Sequence, residues 1–513
     1  MSLNVRPYDN QTLLLFPPSV GDYLPEDHLA HVVDEVVGQL DLTGLYNLIS
    51  PVGPPAYHPA LMVKVWFYGY ATGVVSSRKL ARGLETDVAF IYLSGMQRPD
   101  FRTLSDFRKD HLEELKGLFV QIVRLCRELG MVSLGHWALD STVIKANASR
   151  EATYGAERLE REEREIEEAI EGYLRQAEAA DREEDEAYGP KQRGDELSGK
   201  LRSRQRRLEK IRSALAELPD RKPSERRGER TINLTDSDAA FQRLGGRVVP
   251  GYRGEVVVDG QEQVIVAVEV ASGSDQDQLM PLVDEALKTV EGEEPLAERS
   301  EKIILSADSG YSSGRNLADL EERKRIDPYI PDGGLQAQER GKGAREASPF
   351  HKNRFEYHSE GDCYVCPLGK RLALWMTTTG HGGQRIFLYR CREGQRCPER
   401  RACTRRVMGR VLKVSEHDQR LRAMRQKLRT EEGRRRYNRR KTIVEPVFGQ
   451  LKQNLNLREF LLRGLRKVQG EFSLWATAHN LLKITRFLRR LGRDRWEAWF
   501  GSHRSGVLLD PGG

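Results

Sequence analysis

KIILSADSGY, residues 302–311, is an apolar run that ends on an acid. Ile303, Ile304 and Leu305 suit a buried strand, and Asp308-Ser309-Gly310 supplies turn chemistry directly behind it. Upstream, SLGHWALDSTVIKANA (133–148) repeats the pattern and reads as a strand pair, with Asp140 alone among apolar neighbours. Between them lies GYRGEVVVDGQEQVIVAVEVAS (251–272), two β-branched runs around Asp259-Gly260 and a strong hairpin signal. An amphipathic helix over Asp275–Val290 follows. Past Asp308 come a capped helix, SSGRNLADLEERK (312–324), and a short strand, RIDPYIP (325–331).

Working outward, residues 58–130 form a helical unit. His58-Pro59 opens one helix, ended by Gly73. Ser76-Ser77 caps a second helix over 78–95, and apolar residues from Leu104 to Leu125 keep helical spacing through a third over 100–129. Leu29–Leu45 reads as helix before them. Short helices with basic starts suit a helix-turn-helix-like DNA module, and a plain bundle fits equally well. Residues 150–230 change character: charged, with apolar positions at Leu159, Ile166, Tyr173 and then Leu201, Leu208, Ile211, Leu215, they predict an antiparallel helical hairpin inserted into the strand pattern. Residues 335–410 are irregular, Gly-rich and Cys-bearing; 415–465 are basic and helical; 471–491 form a helix whose apolar face should pack on the sheet.

The 513 residues carry 83 Lys and Arg against 76 acids, a net charge of +7. Between Arg401 and Arg440 the balance is fifteen basic residues to four acidic ones, the kind of run that suits a polyanion. No apolar run of about 18 residues occurs, so no transmembrane helix is expected. MSLNVRPYDNQTLLLF lacks the layout of a secretory signal, so a cytoplasmic, nucleoid-associated location is expected. Cys126 reads as core. Cys363, Cys366, Cys391, Cys397 and Cys403 have two readings, a structural zinc site built on the Cys363-x2-Cys366 knuckle or reduced thiols in an insertion.

With both insertions set aside, the order is strand with Asp140, hairpin, helix, strand with Asp308, helix, strand, and a helix with Glu445. That is the order of a mixed α/β sheet of the ribonuclease-H-like kind. Two carboxylates on neighbouring strands and a third on a facing helix can hold two divalent ions about 4 Å apart, Mg²⁺ or Mn²⁺ by their preference for oxygen. Each acid alone has an ordinary reading: Asp140 and Asp308 as turn residues, Glu445 as a solvated helix position. Asp236 and Asp238 in TDSDA (235–239) are alternative acids of lower rank.

ALDSTVIKANAS, ILSADSGYSS and YNRRKTIVEPVFGQLKQNLNLREFLLRG (437–464) resemble the three motifs of the D-D-E transposases of bacterial insertion sequences. YHPALMVKVWFYGYATGVVSSRKLARG resembles their N-terminal domain, and the resemblance spans most of residues 8–490. It implies Asp140, Asp308 and Glu445 as catalytic metal ligands, with Lys452 seven residues beyond the Glu on phosphate. The family's Tyr-Arg-Glu-Lys form places Arg four and Tyr seven residues before the Glu; here those positions are Lys441 and Asn438, with Arg440 and Tyr437 one residue upstream. The resemblance thus implies DNA contacts by Lys452, Arg440, Lys441, Tyr437 and Arg439. It also implies cutting of terminal repeats, joining to target DNA, and a homodimer on double-stranded DNA. The expected organisation is 1–130 helical and DNA-binding, 131–495 catalytic with insertions at 150–230 and 335–410, and a tail at 496–513. Two other functions compete: a DNA-binding regulator with a degenerate nuclease fold, and a nuclease that only hydrolyses.

Overall fold

The computed structural model describes residues 19–52, 54–188, 199–221, 230–271, 275–291, 302–323, 325–333, 349–380, 383–492, and 496, 498, 500 and 501. Residues 1–18, 334–348 and most of the 496–513 tail lie outside these. Among the described residues seven α-helices precede the first strand: α1 Leu29–Gly38, α2 Thr43–Tyr46, α3 Pro59–Ala71, α4 Ser77–Thr86, α5 Val88–Leu93, α6 Phe101–Asp110 and α7 Leu112–Glu128. Three of the expected helices are broken, for local reasons. Leu29–Leu45 gives two helices, the second starting beyond Asp41, whose carboxylate takes the Thr43 N–H at 2.9 Å. Asp87 caps α5 by accepting from the Ala89 and Phe90 N–H groups, which ends α4 one residue earlier. His111 leaves helical geometry (ψ 34°) and separates α6 from α7.

The central sheet contains β1 His136–Lys145, β4 Ala240–Leu244, β5 Arg247–Asp259, β6 Ile265–Ala271, β7 Ile303–Ala307 and β8 Ile326–Tyr329. Its order is β4-β5-β1-β7-β8, with β6 also on β5. β1 runs antiparallel to β5 and parallel to β7, which runs parallel to β8. The segment 133–148 is thus one strand rather than a pair. Trp137, Ala138 and Leu139 are all fully buried because β1 is central and covered on both faces, so its apolar residues run on instead of alternating. Helices α10 Asp275–Glu291 and α11 Gly314–Glu322 occupy the expected places.

The charged insertion forms α8 Ala156–Tyr188 and α9 Gly199–Glu217, packed on one another. At its base β2 Thr153–Gly155 pairs antiparallel with β3 Thr231–Asn233, a clamp too short to read from the sequence. The Cys-bearing segment is not irregular. β9 Glu356–His358, β10 Cys363–Val365, β11 Arg371–Thr379, β12 Arg385–Cys391 and β13 Val411–Ser415 make a five-stranded antiparallel sheet with its own core of Phe355, Tyr364, Leu372, Tyr389 and Leu412. Its strands are short and its turns carry many charges, so the alternation does not stand out. A short helix, α12 Arg400–Cys403, precedes β13; α13 Asp418–Arg429 and α14 Glu431–Gly449 follow it.

The last long helix, α15 Leu465–Leu491, is buried almost all round. It lies against β6, α3 and α7, so one core runs through residues on both sides of position 130. β6 would otherwise expose an unpaired edge. α15 closes it with side-chain amides: Asn480 accepts from the Ile265 N–H at 2.9 Å and donates to its carbonyl at 2.9 Å, while Gln469 accepts from Val270 at 2.6 Å and donates to the Val268 carbonyl at 3.0 Å. Asn480→Ala strands two buried backbone groups and is expected to destabilise the fold by roughly 2–4 kcal/mol. Gln469→Ala, at a half-buried position, is expected to cost less. Urea midpoints measure both, and an N480A midpoint equal to wild type would contradict this account of the edge.

Candidate active site

Sheet register brings two of the three expected acids together. β1 and β7 are parallel neighbours paired through Leu139 and Ala307, so the next residues, Asp140 and Asp308, stand side by side where the pairing ends. Asp308 sits at the N-cap of a single 3₁₀ turn, Ser309–Tyr311, yet its side chain makes no capping bond there. Asp140 keeps one local bond, from the Ser141 N–H at 2.8 Å. Burial pushes the Asp140 carboxyl up; Arg440 draws it back and the charge of Asp308 adds to the rise.

Arg440 is the third member of the observed cluster. It is buried on α14 and forms an ion pair with Asp140, with Asp308 also within electrostatic reach. Its positive charge acts on both carboxylates, most strongly on Asp140. Tyr437 packs one turn earlier, its ring 5.8 Å from the Arg440 guanidinium, in a small apolar cluster with Tyr329 and Met424. Arg439 and Lys441 are exposed on the same helix.

Glu445 is exposed on α14 and takes no hydrogen bond or ion pair among the described residues. Pro446 follows inside the helix rather than at its start. Proline has no N–H for the Thr442 carbonyl four residues back. Gln263, in the β5–β6 turn, donates to that carbonyl at 2.9 Å and so ties the hairpin to the helix beside Glu445. The helix then widens into one π turn, Gln450–Asn454. Lys452 lies in that turn, half-buried, and donates to the Val143 carbonyl of β1 at 3.0 Å; burial lowers its pKa. The structure therefore points Lys452 inward at the strand that carries Asp140.

Among the described residues, no three His, Cys, Asp or Glu side chains are grouped as ligands of one ion. Asp236 and Asp238 are engaged elsewhere. Asp236 accepts from the Tyr252 hydroxyl at 2.6 Å and the Gly464 N–H at 3.1 Å, and Asp238 accepts from the Leu465 N–H at 2.7 Å, so both hold the start of α15.

One acid beside the site was missed. Glu255 is fully buried on β5, opposite Ser141 and therefore on the sheet face away from Asp140. Neither of its oxygens has a hydrogen-bond partner. Burial raises its pKa to about 7, with Tyr311 and Arg253 opposing the rise and Asp140 adding to it. Within GEVVVD it looks like the polar residue of an alternating strand; only the burial of both sheet faces makes it unusual. Its folded pKa exceeds its unfolded one, so it favours the fold at low pH, and that advantage is lost as pH rises from the ordinary carboxylate range through about 7. Wild type minus Glu255→Gln stability is therefore expected to fall between pH 5 and pH 8 by a few kcal/mol, on the order of 3. Thermal melts at a series of pH values measure it, and parallel curves for the two proteins would contradict the burial of an acid here.

Two stretches of the chain match known families. Residues 18–110 match a transposase domain (DUF772), and residues 365–485 match a transposase DDE domain. The second match holds the five-stranded sheet from Val365 onward, Arg440, Glu445 and Lys452; Asp140 and Asp308 lie outside both. No curated protein and no solved structure matches the chain. Among the described residues no helix is long and apolar enough to cross a membrane. A transposase domain near one end and a DDE domain near the other together support a DDE transposase of an insertion element.

Proposed function

We propose that this transposase cuts transposon ends and joins them to target DNA at a site built from Asp140, Asp308 and Glu445 on a ribonuclease-H-like domain. The observation that carries the reading is the adjacency of Asp140 and Asp308 at the ends of parallel neighbouring strands. The strand order supports it: an antiparallel trio β6, β5, β1 continued by parallel β7 and β8, with Glu445 on a helix packed against β1 and β7. The oxygen donors of the two aspartates fit Mg²⁺ or Mn²⁺. Bound there, two such ions would activate the attacking oxygen and stabilise the leaving one.

The chain's own residues would do the rest. Water attacks the scissile phosphorus and the 3′-oxygen leaves as a hydroxyl; that hydroxyl then attacks a target phosphorus, expelling a second 3′-oxygen. Asp140 and Asp308 hold the charge centre. Arg440 neutralises them in the DNA-free chain and turns to phosphate when DNA arrives. Glu445 completes the ligand set by a shift of α14, whose Pro446 removes one restraining bond of the helix ladder. Arg439 and Lys441 face outward for the DNA backbone. Arg202, Arg206 and Lys210, four residues apart on α9, add an exposed basic row on the inserted arm, which supports a DNA partner over a small substrate. Paired ends call for a homodimer on DNA. On this reading residues 1–130 bind DNA and 131–495 carry the chemistry.

The test uses a supercoiled plasmid bearing the element's terminal repeats, with Mg²⁺. Wild type is expected to nick and join; Asp140→Ala, Asp308→Ala and Glu445→Ala are each expected to lose roughly 100- to 1000-fold in rate, a loss of the size that removing one charge-stabilising group produces. Circular dichroism at the assay temperature shows that each variant is folded; Asp140→Ala, which strands buried Arg440, is expected to melt below wild type while Glu445→Ala melts with it. Cleavage without joined product would favour a hydrolytic nuclease. Activity in E445A equal to wild type would remove Glu445 from the site.

A further inference from the structure

The five clustered cysteines do not form one set. Cys366, Cys391, Cys397 and Cys403 line a single small cavity of about 20 Å³, together with Phe355, Leu372 and Arg410. That volume suits one water or one ion. Cys363 is not among its walls; it is buried on β10 beside Gly361, with its sulfur 3.6 Å from where a Gly361 side chain would begin. The four cavity cysteines come from separate pieces of chain: the β10–β11 turn, the end of β12, the loop behind it and α12. All four are free thiols. Nothing in their sequence spacing selects four out of five.

The turn at Cys366 directs a backbone N–H at its own sulfur. After Cys366 the chain turns back on itself: Gly369 N–H meets the Cys366 carbonyl at 2.8 Å, Cys366 N–H meets the Lys370 carbonyl at 2.9 Å, and Lys370 N–H donates to the Cys366 sulfur at 3.3 Å. Burial pushes the Cys391 thiol up, with the Glu393 backbone N–H opposing the rise. Backbone N–H groups aimed at sulfur stabilise thiolate over thiol. The surrounding charges ask for an anion. Lys370, Arg400 and Arg410 all line the cavity. The Arg410 Nε–H is buried with no hydrogen-bond partner, although the same guanidinium donates to the Cys403 carbonyl at 2.9 Å. A neutral pocket of four thiols leaves that donor unexplained. Four thiolates around a divalent ion carry a net charge of −2 and would satisfy it.

We propose that Cys366, Cys391, Cys397 and Cys403 bind one Zn²⁺ as a tetrahedral four-thiolate site, with Cys363 taking no part. The side chains as they stand are not drawn together as ligands, so binding requires them to close on the ion filling the space between them. Four thiols lose their protons to solvent as four Zn–S bonds form, with no redox change. The ion would fasten β12 and α12 to the β10–β11 turn, where the sheet's core is only a handful of side chains deep. The site is independent of the reading of Asp140, Asp308 and Glu445.

The full chain, purified under reducing conditions without chelator, is expected to contain one Zn²⁺ by elemental analysis. Exchange for Co²⁺ is expected to give the thiolate charge-transfer band and the visible bands of tetrahedral cobalt. Cys397→Ser, on the loop, and Cys366→Ser, Cys391→Ser and Cys403→Ser are each expected to weaken Zn²⁺ by more than the roughly 10- to 100-fold that loss of an outer-shell partner costs. Cys363→Ser is expected to keep the ion. Far-ultraviolet circular dichroism separates loss of metal from loss of fold. Wild type that takes up neither Zn²⁺ nor Co²⁺, disulfides among the four in the reduced preparation, or a folded C363S that loses the metal as C397S does would each overturn the proposal.

Discussion

The architecture depends on one constraint: a helix with almost no exposed face must be enclosed. α15 satisfies it by lying between the N-terminal helices and the β6 edge. Glu471, fully buried, is acceptable there because it takes the Leu461 and Leu462 N–H groups at 3.0 and 2.8 Å and faces Arg108. Arg108 in turn donates to the Tyr70 hydroxyl at 3.1 Å and stacks over Trp66, while Tyr70 meets Trp475 edge-on at 4.8 Å. A buried charge removed from such a chain leaves its partner stranded in low dielectric, which costs far more than the pair gains. The N-terminal helices and the sheet are therefore joined by a polar linkage as well as an apolar one.

The same logic governs the candidate site. Asp140 and Asp308 are half-buried with their like charges side by side, and an arginine from another element pairs with Asp140. Gln263 works at the margin of this region. It lies in a left-handed turn (φ 60°), donates to Thr442, and accepts from Lys483 at 2.7 Å, so the hairpin, the Glu445 helix and α15 meet through one side chain. Movement of α14 relative to the sheet would pass through that contact first.

Much of this was readable in advance, and the rest was hidden for physical reasons. The β5–β6 hairpin, α10, β7, α11 and β8 announce themselves because strand and helix periods are clean and turn residues separate them. The adjacency of Asp140 and Asp308 follows from strand order alone. What periodicity cannot show is a contact between distant segments. That Arg440 turns onto Asp140, that Lys452 turns inward to Val143, and that Glu255 is sealed under the sheet depend on which helix covers which face. The five-stranded sheet escaped because its strands are short and interrupted by glycine and charge. The breaks at Asp87 and His111 escaped because the apolar rhythm continues across them.

The β2–β3 clamp has a consequence for how the arm between them is carried. Gly155 stands opposite Thr231, so the chain departs and returns at one point. Closing a flexible loop costs only slowly more as it lengthens, and here the ends are already pinned. The arm from 156 to 230 can thus grow, shrink or change its charge without a register change being passed to β1 or β5. Its reach is set apart from the geometry of Asp140 and Asp308, and the two can be altered separately over evolutionary time or by design.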